Sequence, residues 1–556
     1  MMKKYFIVLI SFVLVACGNI PKNSSIKEGS ILGSVPEGSI VRVIASTPQE
    51  GMTPEEIVSG FLNASASSEN DFKIARQYLI PELRDIWQPT QQIQVYEGQG
   101  RLNLTQSNSV VFIAPLSSVI DDRSRITLSE PDSQLVQEFK LKKVDNEWRI
   151  NLDVKGLLIS RADLNRSFTT FPLWFPDTSF KTLTPDIVVL PRSTTGNATR
   201  LMQLLLAGPG ENLAGAVRSA FPVGTTLAIN SVPVSNGLAT VSLNETVLGA
   251  EPFLREVLSA QIVKTLSRIP EIRTVRINVG SQSLIVPNTP IRQSITLWEK
   301  FSPDSNREAD ALAIQNGKIF KINSELVSAI SDDYFNSGRW YAATSNRDEN
   351  ILAAVTEDRT KYVVQNSNSA SPRRVLIEGQ GFRIPRSDIF DAMWVTGVNQ
   401  IYVVQNNRVI NVSIDGVDKK NVIDVIPSPD GVRALLITNT VYGTELRIGT
   451  IVRDDQSIKI INLSKLIRDG FSVTQATWQD SEFVLYLDNF SEPANIYSVD
   501  TFTGFSRSLY TQLGSRNLAS VIKKPTYLTL EDGSILERIS GEWISRGNLI
   551  NATYPG

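Results

Sequence analysis

The chain of 556 residues contains no histidine and a single cysteine, Cys17. The lack of histidine excludes Ser-His-Asp and Cys-His catalysis, and it excludes every metal site that requires an imidazole ligand. The commonest general base near neutral pH is also missing. Any catalysis would therefore have to use carboxylates, lysine, tyrosine or serine.

Neither sign of charge predominates, since 55 basic side chains face 57 acidic ones and the net charge is −2. Nothing in this balance indicates a nucleic acid or an anionic membrane surface as a partner, so no nucleic acid is expected. Hydrophobic residues make up 42% and charged residues 20%, as in ordinary globular proteins. The length predicts about three or four domains.

Long apolar runs are scarce, and the one at the N-terminus extends from Tyr5 to Ala16 behind two lysines. It is too short for a membrane span, which needs ~20 residues. A basic start, an apolar stretch and a small residue before the cut are typical of a secretory signal. Leu14, Val15 and Ala16 precede Cys17 as in the bacterial lipobox, so residues 1–16 are predicted to be a lipoprotein signal peptide.

Cys17 is predicted to carry the lipid. Its sulfur would take a diacylglyceryl group through a thioether, and its freed amine can then receive a further acyl chain such as palmitate. Several acyl chains suffice for stable anchoring where one would be marginal. Residues 17–48 are polar and aperiodic, which predicts a lipidated, flexible tether. The folded part would then lie on the extracytoplasmic face of the cell membrane, with no cofactor and no metal.

The first predicted domain covers residues 49–168 and is of the α+β class. A helix start is marked by Thr53 as N-cap, Pro54 at the first helical position and Glu56 at the third. The period then changes to that of strands, which end in a hairpin. This order resembles an NTF2-like domain. The predicted strands cover 93–96, 110–113, 125–128, 136–141 and 148–152.

The second predicted domain covers residues 183–290 with the order β-α-β-β-α-β, as one sheet with both helices on one face. Asn236 and Gly237 are typical of a tight hairpin turn. Phe253 is expected on the buried face of the second helix. The predicted strands cover 186–190, 226–229, 238–243 and 273–279, and the helices 197–207 and 252–268.

The third predicted domain covers residues 305–556, where helical periods nearly vanish and short strands recur between turn signals. Trp394 and Trp478 begin two similar stretches and lie 84 positions apart, which is twice the ~42 residues of a four-stranded propeller blade. Five or six blades are therefore predicted in a β-propeller-like domain. A β-sandwich is the alternative.

Two short motifs offer alternative chemistry. Gly208-Pro209-Gly210 is glycine-rich, but it follows a helix rather than a strand, so it predicts a helix stop instead of a phosphate loop. Asp121 and Asp122 could be the carboxylate pair of a hydrolase. Adjacent strand residues point to opposite faces, however, and the local sequence favours a solvated turn.

The order of these units behind a lipobox resembles the actinobacterial lipoprotein LpqB family. The middle unit resembles a GerMN domain. The residues that carry the resemblance are 53–67 and 75–79 in the first domain, and 201–209, 221–225, 236–239 and 273–279 in the second.

The resemblance implies a multidomain, β-rich fold with an NTF2-like domain, a GerMN domain and a β-propeller-like domain. It also implies a role without catalysis, as an accessory lipoprotein of the MtrA–MtrB two-component system that contacts the ectodomain of the sensor histidine kinase in cell-wall and division signalling. The alternatives are a carboxylate-dependent cell-wall hydrolase and a solute-binding lipoprotein. No residue that contacts the partner follows from the sequence.

Overall fold

The structure is a computed structural model. It describes residues 45–67, 70–106, 108–130, 132–151, 155–192, 196–305, 307–366, 373–454, 456–467, 472–489 and 493–556. The signal peptide, Cys17 and the tether as far as residue 44 lie outside the described residues.

The N-terminal domain begins with the helix that the sequence predicts. Thr53 Oγ1 accepts a hydrogen bond from Glu56 N, and Thr53 N donates one to a carboxylate oxygen of Glu56 at 2.8 Å. Phe61 on the buried face of this helix packs against Trp87, with ring centroids 5.3 Å apart. The elements are α1 Pro54–Ala64, α2 Lys73–Arg76, α3 Pro81–Arg84, β1 Ile93–Tyr96, β2 Arg101–Gln106, β3 Ser109–Ile120, β4 Ile126–Leu128, β5 Gln134–Val144, β6 Glu147–Ile150, β7 Leu157–Ser160 and α4 Arg161–Ser167.

The sheet of this domain has the order β6-β5-β3-β1-β7, and β2 and β4 also pair with β3. All pairs are antiparallel except β1 with β7. Aromatic side chains fill the space between the sheet and α1, among them Phe61, Trp87 and Phe139. The interior of the N-terminal domain is therefore packed with side chains.

The middle domain contains two sheets where the sequence predicted one. Its main sheet has the order β10-β11-β12-β13, with β14 also paired to β12, and a separate sheet consists of β8 and β9. The elements are β8 Phe168–Pro176, β9 Leu183–Pro191, α5 Asn197–Leu206, β10 Val234–Ser235, β11 Leu238–Leu243, α6 Pro252–Leu266, β12 Thr274–Val279, β13 Gln282–Ser283 and β14 Gln293–Ser294, with short 3-10 helices at Glu211–Leu213, Glu245–Gly249 and Glu299–Phe301.

Two details of this domain differ from the sequence-based predictions, and a third agrees with them. The predicted strand at 226–229 is a single bridge between Leu227 and Leu243. Phe253 is 52% exposed instead of buried, because it stands in the first turn of α6, ahead of the helix's buried run. Asn236 and Gly237 do form the predicted turn between β10 and β11, both with positive φ.

The described residues of the C-terminal domain form six four-stranded blades with antiparallel pairing inside each blade, and the outer strands of the third and fourth blades also pair in parallel, which joins these two blades into one eight-stranded sheet. Strand β38 is the innermost strand of blade 1, so a late segment of the chain completes a blade begun far earlier. The blades are β38 Ile550–Thr553 with β15 Ala311–Gln315, β16 Lys318–Ile322 and β17 Val327–Ala329; β18 Trp340–Ser345, β19 Ile351–Thr356, β20 Lys361–Asn366 and β21 Arg373–Glu378; β22 Arg386–Ser387, β23 Met393–Gly397, β24 Gln400–Gln405 and β25 Arg408–Ile414; β26 Val422–Pro427, β27 Arg433–Thr440, β28 Gly443–Arg453 and β29 Ile458–Lys465; β30 Val473–Trp478, β31 Phe483–Asp488, β32 Ala494–Asp500 and β33 Ser506–Gln512; and β34 Ser515–Ala519, β35 Thr526–Leu530, β36 Ile535–Ile539 and β37 Glu542–Ser545. Short helical segments lie between blades at α7 Asp333–Ser337 and the 3-10 helix Lys419–Asn421.

The blades form a closed ring. The innermost strand of each blade lies against that of the next, and β38 lies between β34 and β18. We call the face that carries the turns from the first to the second strand of each blade the upper face, and the opposite one the lower face. All described residues belong to one compact unit.

The period of about 42 residues is correct, but the two tryptophans do not occupy equivalent positions. Trp394 lies on the second strand of blade 3, whereas Trp478 is the last residue of the first strand of blade 5. The repeated feature is instead a serine at the upper end of a first strand, at Ser345, Ser387 and Ser428.

Candidate interaction site

The predicted lipidation residues Leu14, Val15, Ala16 and Cys17 lie outside the described residues. Asp121 and Asp122 are in the exposed turn after β3. Asp121 Oδ1 accepts the backbone N–H groups of Arg123 at 2.9 Å and Arg125 at 2.8 Å. The carboxylate thus shapes the turn, as the solvated-turn interpretation predicts.

Gly208-Pro209-Gly210 lies at the junction of the N-terminal and middle domains, where a buried ion pair joins them. Arg125 Nη2 is 2.9 Å from Asp186 Oδ2, and the two side chains are 10% and 3% exposed. Arg125 Nη2 also donates to Gly208 O at 2.8 Å, and Gly210 N donates to Asp186 Oδ2 at 2.8 Å. The loop therefore supplies one backbone acceptor and one backbone donor to this ion pair.

The same junction is reinforced by backbone pairing. Val189 N donates to Ser124 O at 2.8 Å, and Arg125 forms an antiparallel bridge with Val188. Burial raises the pKa of Asp186, and the charge of Arg125 opposes that rise. We call this junction the first seam.

The middle domain meets the upper face of the propeller at a second seam of different character. Val432 of blade 4 is 2% exposed and belongs to the hydrophobic core of the middle domain, together with Trp298 and Phe301. Thr450 Oγ1 and Asn462 Nδ2 both donate to the carbonyl of residue 212, at 2.6 and 2.9 Å. Around Val432, the contacts of the second seam are therefore apolar packing and hydrogen bonds to backbone.

Carboxylates of the upper face shape turns. Asp388 Oδ1 accepts the N–H groups of residues 390 and 392, and its Oδ2 accepts from Trp394 Nε1 at 2.8 Å and Arg453 Nη2 at 2.6 Å. Asp430 accepts from the N–H of Val432 and forms an ion pair with Arg433. These buried acids are fully occupied with turn backbone and arginine.

Asp480 shapes the corresponding turn of blade 5. Its Oδ1 accepts the N–H groups of Glu482 at 2.8 Å and Phe483 at 2.7 Å. Burial raises the pKa of Asp480 to about 6, with smaller contributions from the charges of Asp304 and Glu482. Its neighbour Glu482 forms an ion pair across the second seam with Arg268.

Within the described ranges, no three histidine, cysteine, aspartate or glutamate side chains are grouped so that they could hold a metal ion. No helix in the described part of the chain has the length and apolarity needed to cross a membrane.

Two clefts lie where domains meet. One, of about 850 Å³, lies between the N-terminal and middle domains and has mixed polarity, with Arg76, Trp87 and Arg200 in its wall. The other, which we call the junction cleft, measures about 380 Å³. It is lined by Ile126, Leu164, Asn165, Phe168, Thr169, Thr170, Val189, Arg192, Phe483, Ser498, Asp500, Thr503, Phe505 and Arg507.

The sequence did not predict the junction cleft, because its wall combines residues from all three domains. A second exposed apolar feature lies on the lower face of blade 4. Val441 and Tyr442 occupy a two-residue hairpin turn there, and such turns usually contain small or polar residues. They are 91% and 98% exposed.

Comparison with known proteins agrees with this architecture. Residues 47–165 match the family model "Lipoprotein LpqB, N-terminal domain", residues 172–285 match "Sporulation and spore germination", and residues 327–550 match "Lipoprotein LpqB beta-propeller domain". The matched ranges correspond to the N-terminal domain, the middle domain and the propeller.

Curated relatives extend over most of the chain. Lipoprotein LpqB of Thermobifida fusca is 24% identical over 536 residues, covering 85% of each chain, and that of Cutibacterium acnes is 23% identical over 483 residues, covering 82% of this chain and 80% of the relative. Among solved structures, the tandem GerMN domains of GerM from Bacillus subtilis match 26% of this chain and 49% of that chain, at 18% identity and a TM-score of 0.20. On the family models and the curated relatives together, the chain belongs to the LpqB lipoprotein family.

Proposed function

We propose that this chain is a membrane-anchored, extracytoplasmic accessory lipoprotein that binds and modulates a two-component sensor kinase of the MtrA–MtrB type in cell-wall and division signalling. Membership in a lipoprotein family supports an envelope location. The lipobox at Leu14, Val15, Ala16 and Cys17 supports a lipid anchor on the extracytoplasmic side.

The observation that carries the proposal is the way in which the three domains are joined. The buried pair of Arg125 and Asp186 closes the first seam, and Val432 enters the core of the middle domain at the second. Such seams hold the domains as one body with broad faces, which suits the binding of another protein.

Three carboxylates that shape turns give no support to the hydrolase alternative. Asp121 accepts two backbone N–H groups of its own turn, and Asp388 and Asp430 are bound to turn backbone and arginine. A solute-binding lipoprotein usually has two large α/β lobes around a cleft. The observed order of an α+β domain, a small α/β domain and a propeller is different.

The anchor is tested by replacing the lipidated residue. Cys17→Ala should leave an unprocessed precursor or release the protein from the membrane, because no other cysteine can carry the thioether. Membrane fractionation and metabolic labelling with a fatty acid measure this. A Cys17→Ala chain that is processed and anchored like the wild type would contradict the lipoprotein assignment.

The partner is tested by direct binding. The full-length lipidated chain in detergent should bind the purified ectodomain of the sensor kinase in calorimetry, and an ectodomain from an unrelated kinase serves as the control. A dissociation constant weaker than about 100 μM would contradict the proposal. Release of soluble fragments from purified cell wall by the same preparation would favour the hydrolase instead.

A further inference from the structure

We propose that the junction cleft binds an extended segment of a partner protein that brings an apolar side chain and a neighbouring carboxylate. The inference rests on the proposed function, because it assigns a binding surface and a ligand chemistry to the partner. Three properties of the cleft support it: exposed aromatic rings, unpaired cations and a free strand edge.

The aromatic rings lie on the propeller side of the cleft. Phe505 is 50% exposed and Phe483 is 37% exposed, whereas Phe168 and Leu164 on the opposite side are buried. Large apolar side chains that converge on a concave site lose unfavourable contact with water when a ligand covers them. The cleft can therefore accept an apolar side chain.

The cations are Arg192 and Arg507, which line the cleft and form no ion pair with any carboxylate in the described part of the chain. Arg192 Nη2 donates to the carbonyl of Asn165, at 3.1 Å. Asp500 is the one carboxylate in the wall, and it accepts the N–H groups of residues 502 and 503 in its own turn. The charge that remains to be matched is positive, so the ligand should be acidic.

Two strand edges border the cleft. Strand β33 is the outermost strand of blade 5 and pairs with β32 alone. Strand β8 pairs with β9 alone, but further along its outer edge Trp174 N donates to Thr265 Oγ1 and Trp174 O accepts from Gln261 Nε2, so this edge is open only near the cleft. Thr169 and Thr170 of β8 and Arg507 of β33 all belong to the wall. The free backbone groups of an edge strand can pair with an added extended peptide. This favours a peptide over a lipid, which offers no such backbone donors.

The test uses the full-length chain and a defined probe. The probe is an acetylated octapeptide that alternates valine and threonine, contains one phenylalanine and ends in two aspartates. Fluorescence anisotropy should show saturable binding, and a peptide with lysines in place of the aspartates should bind at least tenfold more weakly.

Two cleft variants identify the binding site. Phe505→Asp should weaken binding about tenfold or more, and Arg507→Glu should weaken it about fivefold. The matched controls are Leu513→Asp and Arg516→Glu, which change exposed residues of the neighbouring surface outside the cleft wall. Both controls should bind the peptide like the wild type.

The inference is overturned if neither peptide binds, if both bind equally, or if Phe505→Asp binds as tightly as Leu513→Asp. Binding of phosphatidylglycerol vesicles that depends on Phe505, without binding of the acidic peptide, would also overturn it and indicate a lipid site. If the sensor-kinase ectodomain binds wild type and Phe505→Asp equally, the inference fails while the proposed function stands. If that ectodomain does not bind wild type, the proposed function fails.

Discussion

The two seams join the same middle domain to its neighbours by different physical means. At the first seam, a charged pair that is nearly withdrawn from water is surrounded by backbone donors and acceptors. At the second, Val432 enters an apolar core, and the ion pair between Arg268 and Glu482 lies at the periphery, with side chains 49% and 22% exposed. Removal of one charge of the buried pair should therefore destabilise the first seam strongly, whereas removal of a single contact should destabilise the second seam less.

The largest effect is expected at the first seam. Asp186→Leu should lower the free energy of unfolding by about 3–5 kcal/mol, because it leaves the guanidinium of Arg125 buried without a counter-charge. It also removes the acceptor of the Gly210 N–H. Chemical denaturation and amide hydrogen exchange at Gly210 measure the loss.

The double variant Arg125→Met/Asp186→Leu is the matched control, because it removes both charges and keeps an apolar filling. It should recover most of the stability. A single variant that costs no more than the double variant would show that the charge pair does not hold the seam.

A smaller effect is expected from the apolar contact of the second seam. Val432→Ala should cost about 2 kcal/mol, because it removes buried methyl groups and leaves a cavity. Val441→Ala in the same blade changes a residue that is 91% exposed and should be neutral. Equal stability of the two variants in denaturation would show that Val432 does not support the seam.

The buried carboxyl group of Asp480 should make the second seam sensitive to pH. Burial raises the pKa of Asp480 from 3.8 to about 6, so the folded chain binds more protons than the unfolded chain between these values. The contribution of Asp480 to stability therefore falls as pH rises from about 4 to about 6. Asp304 and Glu482 oppose its charge, and Arg307 favours it.

Asp480→Asn should raise the free energy of unfolding at pH 7 by about 1 kcal/mol, because it removes the buried negative charge. The amide oxygen can still accept both backbone N–H groups. The part of the stability profile between pH 4 and 6 that depends on Asp480 should vanish. Denaturation of both chains over this range is the measurement, and parallel profiles would contradict the assignment.

The smallest effect is expected at the periphery. Arg268→Ala should change stability by less than about 0.5 kcal/mol, since a half-exposed ion pair is screened by water and salt. Denaturation at low and high ionic strength checks this. A loss comparable to that of Val432→Ala would mean that the second seam also depends on charge.

The sequence predicts the order of the three domains and many of their elements, because the signals are local. Thr53 and Glu56 form their capping box, and the turn at Asn236 and Gly237 is present. Strand β8 was missed because Phe168–Pro176 contains prolines and lacks an apolar-polar alternation, being buried along most of its length. Trp394 and Trp478 misled the alignment of blades, since tryptophan fits different strands of a buried blade.

The junction cleft could not be predicted from the sequence. Leu164, Val189 and Phe505 become neighbours only when three domains pack together. No spacing along the chain encodes such proximity. The same holds for Arg125 and Asp186, whose pairing depends on the first seam.

The closure of blade 1 has a consequence for how the chain reaches its fold. Strand β38 pairs with β15, with Leu312 opposite Thr553, and Thr553 Oγ1 donates to the carbonyl of residue 343 in blade 2. The ring therefore cannot close until the segment 550–553 has been synthesised and has arrived. Contacts of such long sequence separation make folding slow.

Until that moment β15 presents an open edge, which is a template for pairing with other chains. A chaperone that shields this edge during export would protect the incomplete ring from such pairing. A product shortened before residue 550 would keep the edge of β15 open permanently.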